Sequence, residues 1–321
     1  MMTPTAPHTS AAKLRHLLST LPLVIAPGVF DGISARLAIK TGHHALYQTG
    51  AGTSASRLAR ADLGFLSLSD MTAAAGVSIT ADPSLLTPVI ADADTGFGGP
   101  PQVARTVLEY HRAGIAALHI EDQVTSKRCG HLNSKQLVDT DTFISRITAA
   151  ANASNSLPCP KEDRILIIAR TDALADLGLE EAIERLKKAR DAGAEMGFLE
   201  GLRSDQEART AIQALAPWPL LANCVTGGKS LLWTAKEVER LGFKLAIFPT
   251  AGIFAVQKAL EASYSNLAER GIGIEAEKGE EGRVDLGGAD SAGLRKFFVD
   301  MGLEDELGID RLAAGGALGD A

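Results

Sequence analysis

The chain has little cysteine: Cys129, Cys159 and Cys224 are the only three in 321 residues. So few, so far apart, exclude a disulfide framework and a cysteine-built zinc site, and a reducing compartment is expected. Long apolar runs are missing as well. No stretch approaches the length that spans a bilayer, and the N-terminus lacks the apolar core of a secretory signal. A soluble protein without a membrane partner follows. Nor is there an excess of basic residues; the formal net charge of −7 argues against nucleic acid or an anionic membrane surface as partner. The cytoplasm is the expected location. Mitochondria are the alternative, because residues 1–30 contain no acidic residue and hold Lys13 and Arg15 among several Ser and Thr.

What is present is a beat of short apolar run, polar loop and amphipathic stretch, starting near Leu21. PLVIAPG, ALYQTGAG, TPVIADAD, AALHIED, RILIIARTDA, MGFLEG, WPLLANCV and KLAIFPTAG read as strands or strand–loop units, and helical stretches separate them. Eight strand and helix units with runs apolar on both faces predict a parallel (β/α)₈ TIM barrel over residues 21–270, with a doubly wound open sheet as the competing architecture. Residues 1–20 form an N-terminal extension. Residues 271–321 break the beat and read as a charged, Gly-rich linker followed by a helical segment, AGLRKFFVDMGLEDELGIDR.

In such a barrel the strand C-termini converge on one mouth, where polar residues read as catalytic. Those residues are Tyr47, Thr49, Asp92, Asp94, Glu121, Asp122, Arg170, Asp172, Glu200 and Asn223. Asp92 and Asp94 fall on one face if the third strand persists to Asp94, and Glu121 can join them from the next strand. Oxygen donors without a Cys/His set suit a hard cation, Mg²⁺ or alternatively Mn²⁺. Arg170 is either a fork for a substrate carboxylate or a buried partner of Glu200. Cys129 sits in a polar loop beside Lys127, Arg128 and His131, neighbours expected to favour its thiolate. GGKS at residues 227–230 lacks the upstream glycine of a phosphate loop and is set aside.

The combination resembles the isocitrate lyase and phosphoenolpyruvate mutase superfamily: a DxDxGxG strand end from Asp92 to Gly98, Glu121-Asp122-Gln123, and the loop Lys127-Arg128-Cys129-Gly130-His131. TGAG, ADLG, ARTDA and FLEG extend the likeness over about residues 20–260. The resemblance implies a (β/α)₈ barrel, Mg²⁺ served by Asp92, Asp94 and Glu121, and a homotetramer with its last barrel helices exchanged between subunits. It further implies that Cys129 is the acid/base and that Thr49, Gly50 and Ala51 hold a substrate carboxylate. Asp92, Gly130, His131, Arg170, Glu200 and Asn223 complete the pocket, with Asp62 supporting the metal from behind.

Within that family the likeness runs to dimethylmalate lyases and oxaloacetate acetylhydrolases, then to 2-methylisocitrate lyases. The function it implies is Mg²⁺-dependent cleavage of a 2-hydroxy dicarboxylate, 2,3-dimethylmalate-like or 2-methylisocitrate, to pyruvate or a related 2-oxoacid and a carboxylate. Tyr47 is the candidate base. The alternatives are an oxaloacetate acetylhydrolase, a phosphonopyruvate or carboxyphosphonoenolpyruvate-type mutase, which Cys129 disfavours, and a metal-binding scaffold without turnover. Leu132 stands where methylisocitrate lyases tend to carry Arg, and Pro249 where the acetylhydrolases tend to carry a hydrogen-bonding Ser. CVTGGKS after Asn223 departs from relatives at one rim of the pocket.

Overall fold

The computed structural model describes residues 7–130, 135–228, 230–271, 277–278, 284–285 and 291–313. Each apolar run becomes a short strand: β1 (Val24–Val29), β2 (Leu46–Gln48), β3 (Val89–Asp92), β4 (Ala117–Glu121), β5 (Leu166–Thr171), β6 (Met196–Leu199), β7 (Leu220–Asn223) and β8 (Leu245–Phe248). All neighbours pair in parallel, in chain order, and β8 pairs with β1 to close the barrel. A strand covered on both faces has no polar side, which is why β5 reads as a continuous run and is buried throughout. The open-sheet alternative is excluded.

Ala26, Tyr47, Ile90, Ile168, Phe198 and Ile247 fill the barrel interior together with Leu14 and Leu17 of helix α1 (Ser10–Thr20). Polar contacts fix α1 at the starts of the strands. Ser10 Oγ donates to the Gly114 carbonyl at 2.7 Å, and Arg15 forks onto Glu195 at 2.5 and 2.8 Å. Burying one leucine such as Leu14 stabilises the fold by about 1.5–3 kcal/mol. The base of the barrel is thereby plugged, and the opposite end stays available for chemistry.

Helices α2 (Gly32–Lys40), α3 (Gly50–Leu58), α4 (Leu68–Thr80), α5 (Pro100–Arg112), α6 (Thr140–Asn155), α7 (Leu174–Asp191), α8 (Asp205–Leu215) and α9 (Ala235–Leu241) follow the strands. They begin on identifiable signals. Pro100 starts α5 without needing a backbone donor, and Thr234 and Glu237 form a reciprocal cap on α9. Val103, Val107, Phe143, Ile147 and Leu186 pack these helices against the outer faces of the strands.

Two expectations need correction. The Gly-rich end of ALYQTGAG, read as a loop after the second strand, opens helix α3; its small residues give no apolar periodicity, but Thr49 caps it. The third strand stops at Asp92: Asp94 has φ 47°, a left-handed conformation rare outside glycine, so strand alternation does not place it. The C-terminal helical segment comprises two helices, α11 (Ser291–Asp300) and α12 (Leu303–Leu312), separated where Gly302 adopts φ 96°.

The chain divides into two compact units, residues 1–252 and 253–321. Helix α10 (Ala251–Arg270) has no buried residue and exposes Phe254, Leu260, Tyr264 and Leu267. Two short antiparallel strands, β9 (Glu277–Lys278) and β10 (Val284–Asp285), precede α11. Among the described residues no helix is long and apolar enough to cross a membrane.

Candidate active site

At the strand C-termini the buried charges fall into two groups. The first surrounds Lys127, whose Nζ lies 2.5 Å from Asp62 Oδ1 and 2.6 Å from Asp94 Oδ1. Both contacts pair the ammonium with a carboxylate oxygen, so Lys127 bridges Asp62 and Asp94. Asp92 Oδ1 accepts the Asp94 N–H at 2.8 Å, which ties the two aspartates through the backbone turn. Burial, helped by Asp92 and Asp62, pushes the Asp94 carboxyl up to about 7 against the pull of Lys127. Burial opposes the Lys127 ammonium, but Asp94 and Asp62 outweigh it and hold its pKa well above the ordinary value.

The second group is built on Arg170, which register places beside Glu121 across β4 and β5. Its Nε donates to Asp172 Oδ2 at 2.9 Å, and Nη2 donates to Asp172 Oδ1 at 3.2 Å. Nη1 is 3.2 Å from Glu121 Oε2, and Nη2 is 3.5 Å from Glu200 Oε2. The two expectations for Arg170 are therefore not exclusive: it is a partner of Glu200 and also lines the cavity. Lys135 Nζ adds a bond of 2.9 Å to Asp172 Oδ1. Burial works to raise the Asp172 carboxyl, yet Arg170 and then Lys135 bring it down to about 2. Burial raises Glu121 well above the usual carboxylate range despite Arg170.

A cavity of about 60 Å³ lies between these groups. Asp62, Asp92, Lys127, Arg170 and Glu200 supply its charged wall; Tyr47, Thr49, Ala51, Val225, Pro249 and Thr250 supply much of the rest. Cys129 and Gly130 also face it, and the Cys129 N–H is fixed on the Asp62 carbonyl at 3.1 Å. Thr49 caps α3, so the unpaired N–H groups of the first turn, at Gly50 and Ala51, begin at the cavity edge. A Cβ at Gly50 would stand 2.5 Å from Asp92 Oδ2, and one at Gly130 would stand 2.4 Å from Arg170 Nη2 and 2.8 Å from Asp172 Oδ1. A side chain at either position would have to displace these charged groups. Asn223 Nδ2 donates to Glu200 Oε2 at 2.7 Å, while Asn223 Oδ1 and Thr250 Oγ1 are buried without a partner in the chain.

Tyr47, the candidate base, meets His119 inside the barrel. Its hydroxyl is 2.8 Å from His119 Nε2, and burial, with Asp92 adding, raises the phenol well above its ordinary value. The hydroxyl keeps its proton at neutral pH. Burial also lowers His119 to about 4, which leaves that imidazole neutral.

The donor set suits a hard cation. Asp62 and Asp94 bring carboxylate oxygens to Lys127, and Asp92 is tied to Asp94 through its backbone N–H, while Glu121 stands with Arg170. Among the described residues no three His, Cys, Asp or Glu side chains are set to enclose a metal by themselves. Mg²⁺ does not require that, since it retains several waters and binds through one or two carboxylates.

Sequence reading missed Lys135, His119 and the role of Gln123, which donates to Glu121 Oε1 at 2.9 Å and clamps the Arg128 backbone. It did not foresee Ser230 reaching Glu200 Oε1 at 3.3 Å from the divergent CVTGGKS stretch. His131 and Leu132 lie outside the described residues. A larger cavity of about 540 Å³ at the base, near Arg15, Trp218 and Lys244, has one ion pair and no comparable cluster of carboxylates.

Residues 14–268 match the family model described as phosphoenolpyruvate phosphomutase. The chain is 40% identical over 251 residues to a 2,3-dimethylmalate lyase of Eubacterium barkeri, covering 78% of this chain and 83% of that one. It is 40% identical over 258 residues to a 2-methylisocitrate lyase of Aeropyrum pernix, covering 80% of each. A solved structure of an oxaloacetate acetylhydrolase with 3,3-difluorooxalacetate superposes with a TM-score of 0.88 at 44% identity, covering 97% of this chain and 99% of that one.

Proposed function

The chain belongs to the phosphoenolpyruvate mutase and isocitrate lyase superfamily and is a carbon–carbon lyase; from that premise we propose that it cleaves a substituted malate, 2,3-dimethylmalate first among them, in a Mg²⁺-dependent reaction. The observation that carries this reading is the cavity itself: Cys129 and Arg170 face a wall of buried carboxylates whose charge is only partly met.

A bound Mg²⁺ would supply positive charge for the 2-oxygen and adjacent carboxylate of the substrate, where negative charge gathers as the C2–C3 bond breaks. Asp92, Asp94 and Glu121 would hold it, directly or through water. Arg170 and the first-turn N–H groups of α3 would bind substrate carboxylates, and Asn223 and Glu200 hold the shape of that wall. With the hydroxyl proton passed to a carboxylate of the cavity wall, the C2–C3 electron pair departs with C3, leaving pyruvate. Cys129 then gives its S–H proton to C3, and the fragment leaves as propionate. Tyr47, protonated and fixed on His119, orients rather than accepts.

Pro249 lines the cavity and has neither hydroxyl nor N–H to offer a hydrated ketone. Its neighbour Thr250, however, presents a buried hydroxyl without a partner. That hydroxyl favours oxaloacetate hydrolysis as the second reading. Dimethylmalate, 2-methylisocitrate, isocitrate, citramalate, oxaloacetate and phosphonopyruvate, each with and without EDTA, separate the two through 2-oxoacid release. Dimethylmalate should be cleaved fastest, and only without EDTA. Acetate and oxalate formed from oxaloacetate faster than any diacid is cleaved would reverse the choice.

A further inference from the structure

Lys135 places an ammonium in a position that is costly unless it is used. Its side chain is 4% exposed and ends on Asp172, which is completely buried. Desolvating a cation and its partner costs several kcal/mol per ion before their attraction is counted, and an apolar side chain of similar length would avoid that cost. Asp172 is a firm seat. Its backbone N–H donates to Asp122 Oδ1 at 2.9 Å, and Asp122 Oδ2 takes the Thr171 hydroxyl at 2.6 Å and Arg185 Nη1 at 3.1 Å. In front, the same carboxylate holds Arg170 through both oxygens.

Two points of the segment that carries Cys129 bear on a single atom of this seat. Lys135 Nζ is 2.9 Å from Asp172 Oδ1, and the site a Gly130 Cβ would take is 2.8 Å from the same oxygen. On its other side Cys129 is fixed to Asp62 through its N–H. We propose that Lys135 is a positioning residue: through Asp172 it sets both the Arg170 guanidinium and the register of Cys129 against the cavity. The inference rests on the roles given above to Cys129 and Arg170, and it adds a residue that touches neither substrate nor metal.

The test compares full-length wild type, Lys135→Met, which keeps the stem and removes the charge, and Lys135→Arg, which restores it. Alkylation of Cys129 by iodoacetamide is followed site by site by mass spectrometry, with Cys159 as the reference inside the same molecule. Turnover of 2,3-dimethylmalate and thermal midpoints are measured in parallel. Lys135→Met should change the Cys129 to Cys159 alkylation ratio at least about fivefold and lower kcat/KM at least about thirtyfold, the scale expected when reacting groups shift by a fraction of an ångström. Lys135→Arg should recover both to within about threefold of wild type. A Lys135→Met protein with the wild-type alkylation ratio, or an arginine variant as impaired as the methionine one with an equal fall in thermal midpoint, overturns the proposal. Should the wild type fail to cleave the diacid, the functional reading fails, and the alkylation ratio alone still decides the role of Lys135.

Discussion

The two ends of the barrel both hold ion pairs, half-buried at the base and buried at the mouth, and they do so to opposite effect. At the base, Arg15 meets Glu195 with two bonds and the charges cancel. At the mouth, Asp62, Asp94, Glu121, Asp172 and Glu200 share Lys127, Lys135 and Arg170, so acidic groups outnumber cations, and burial holds the proton on Glu121 and raises Asp94 to about 7. A balanced pair joins two segments; an unbalanced cluster stores a demand for positive charge. The base fastens α1, and the mouth is left to bind something else.

Removing Arg170 should break this contrast most severely. Arg170→Met leaves Glu121, Asp172 and Glu200 without their shared cation, and stability measured by urea unfolding should fall by about 3–5 kcal/mol with turnover lost. A loss below about 1 kcal/mol would mean that the mouth is as self-sufficient as the base. Cys129→Ala comes next: kcat should drop at least about a hundredfold while Mn²⁺ binding, followed by calorimetry, stays as in wild type. Near-normal turnover would make the thiol incidental.

Asp94→Asn sharpens the comparison through pH. Without metal, burial raises the folded Asp94 carboxyl to about 7, above the ordinary aspartate range. The folded state therefore holds a proton that the unfolded chain releases. Stability present below about pH 4 is lost as pH rises toward 7. The asparagine variant should gain on wild type across that window, by about 1–2 kcal/mol, and should no longer be stabilised by added Mg²⁺. Parallel pH curves for the two proteins would remove the argument for strain at Asp94. The smallest effect belongs to the base: Arg15→Met should cost about 1 kcal/mol or less, because this pair is partly solvated, and leave kcat unchanged.

Much of the architecture was legible because a buried parallel strand leaves an uninterrupted apolar run, as LIIA before Arg170 does. The mouth was legible for a related reason. A charge directly after such a run, as at Asp92, Glu121 and Arg170, has few structural explanations. Helix α3 was not, since Gly50 and Gly52 are required by close contacts that only the folded chain makes. Lys135 was hidden in another way: a lysine in a polar loop normally stays solvated, and only the folded chain brings Asp172 to it. His119 fell inside the run ALHIED, where one polar residue looks like an interruption rather than a partner for Tyr47.

Gly130 also governs how this site can evolve. A single added methyl there collides with the Arg170 and Asp172 side chains, and those are interlocked with Glu121, Glu200 and Lys135. Contacting residues of one network do not vary independently, so that half of the cavity resists stepwise drift. Ala51, Val225 and Pro249 carry no charge and line the same cavity. Retargeting by directed evolution should therefore begin at positions 225 and 249, where substrate range can be altered while the bond-breaking apparatus is inherited intact.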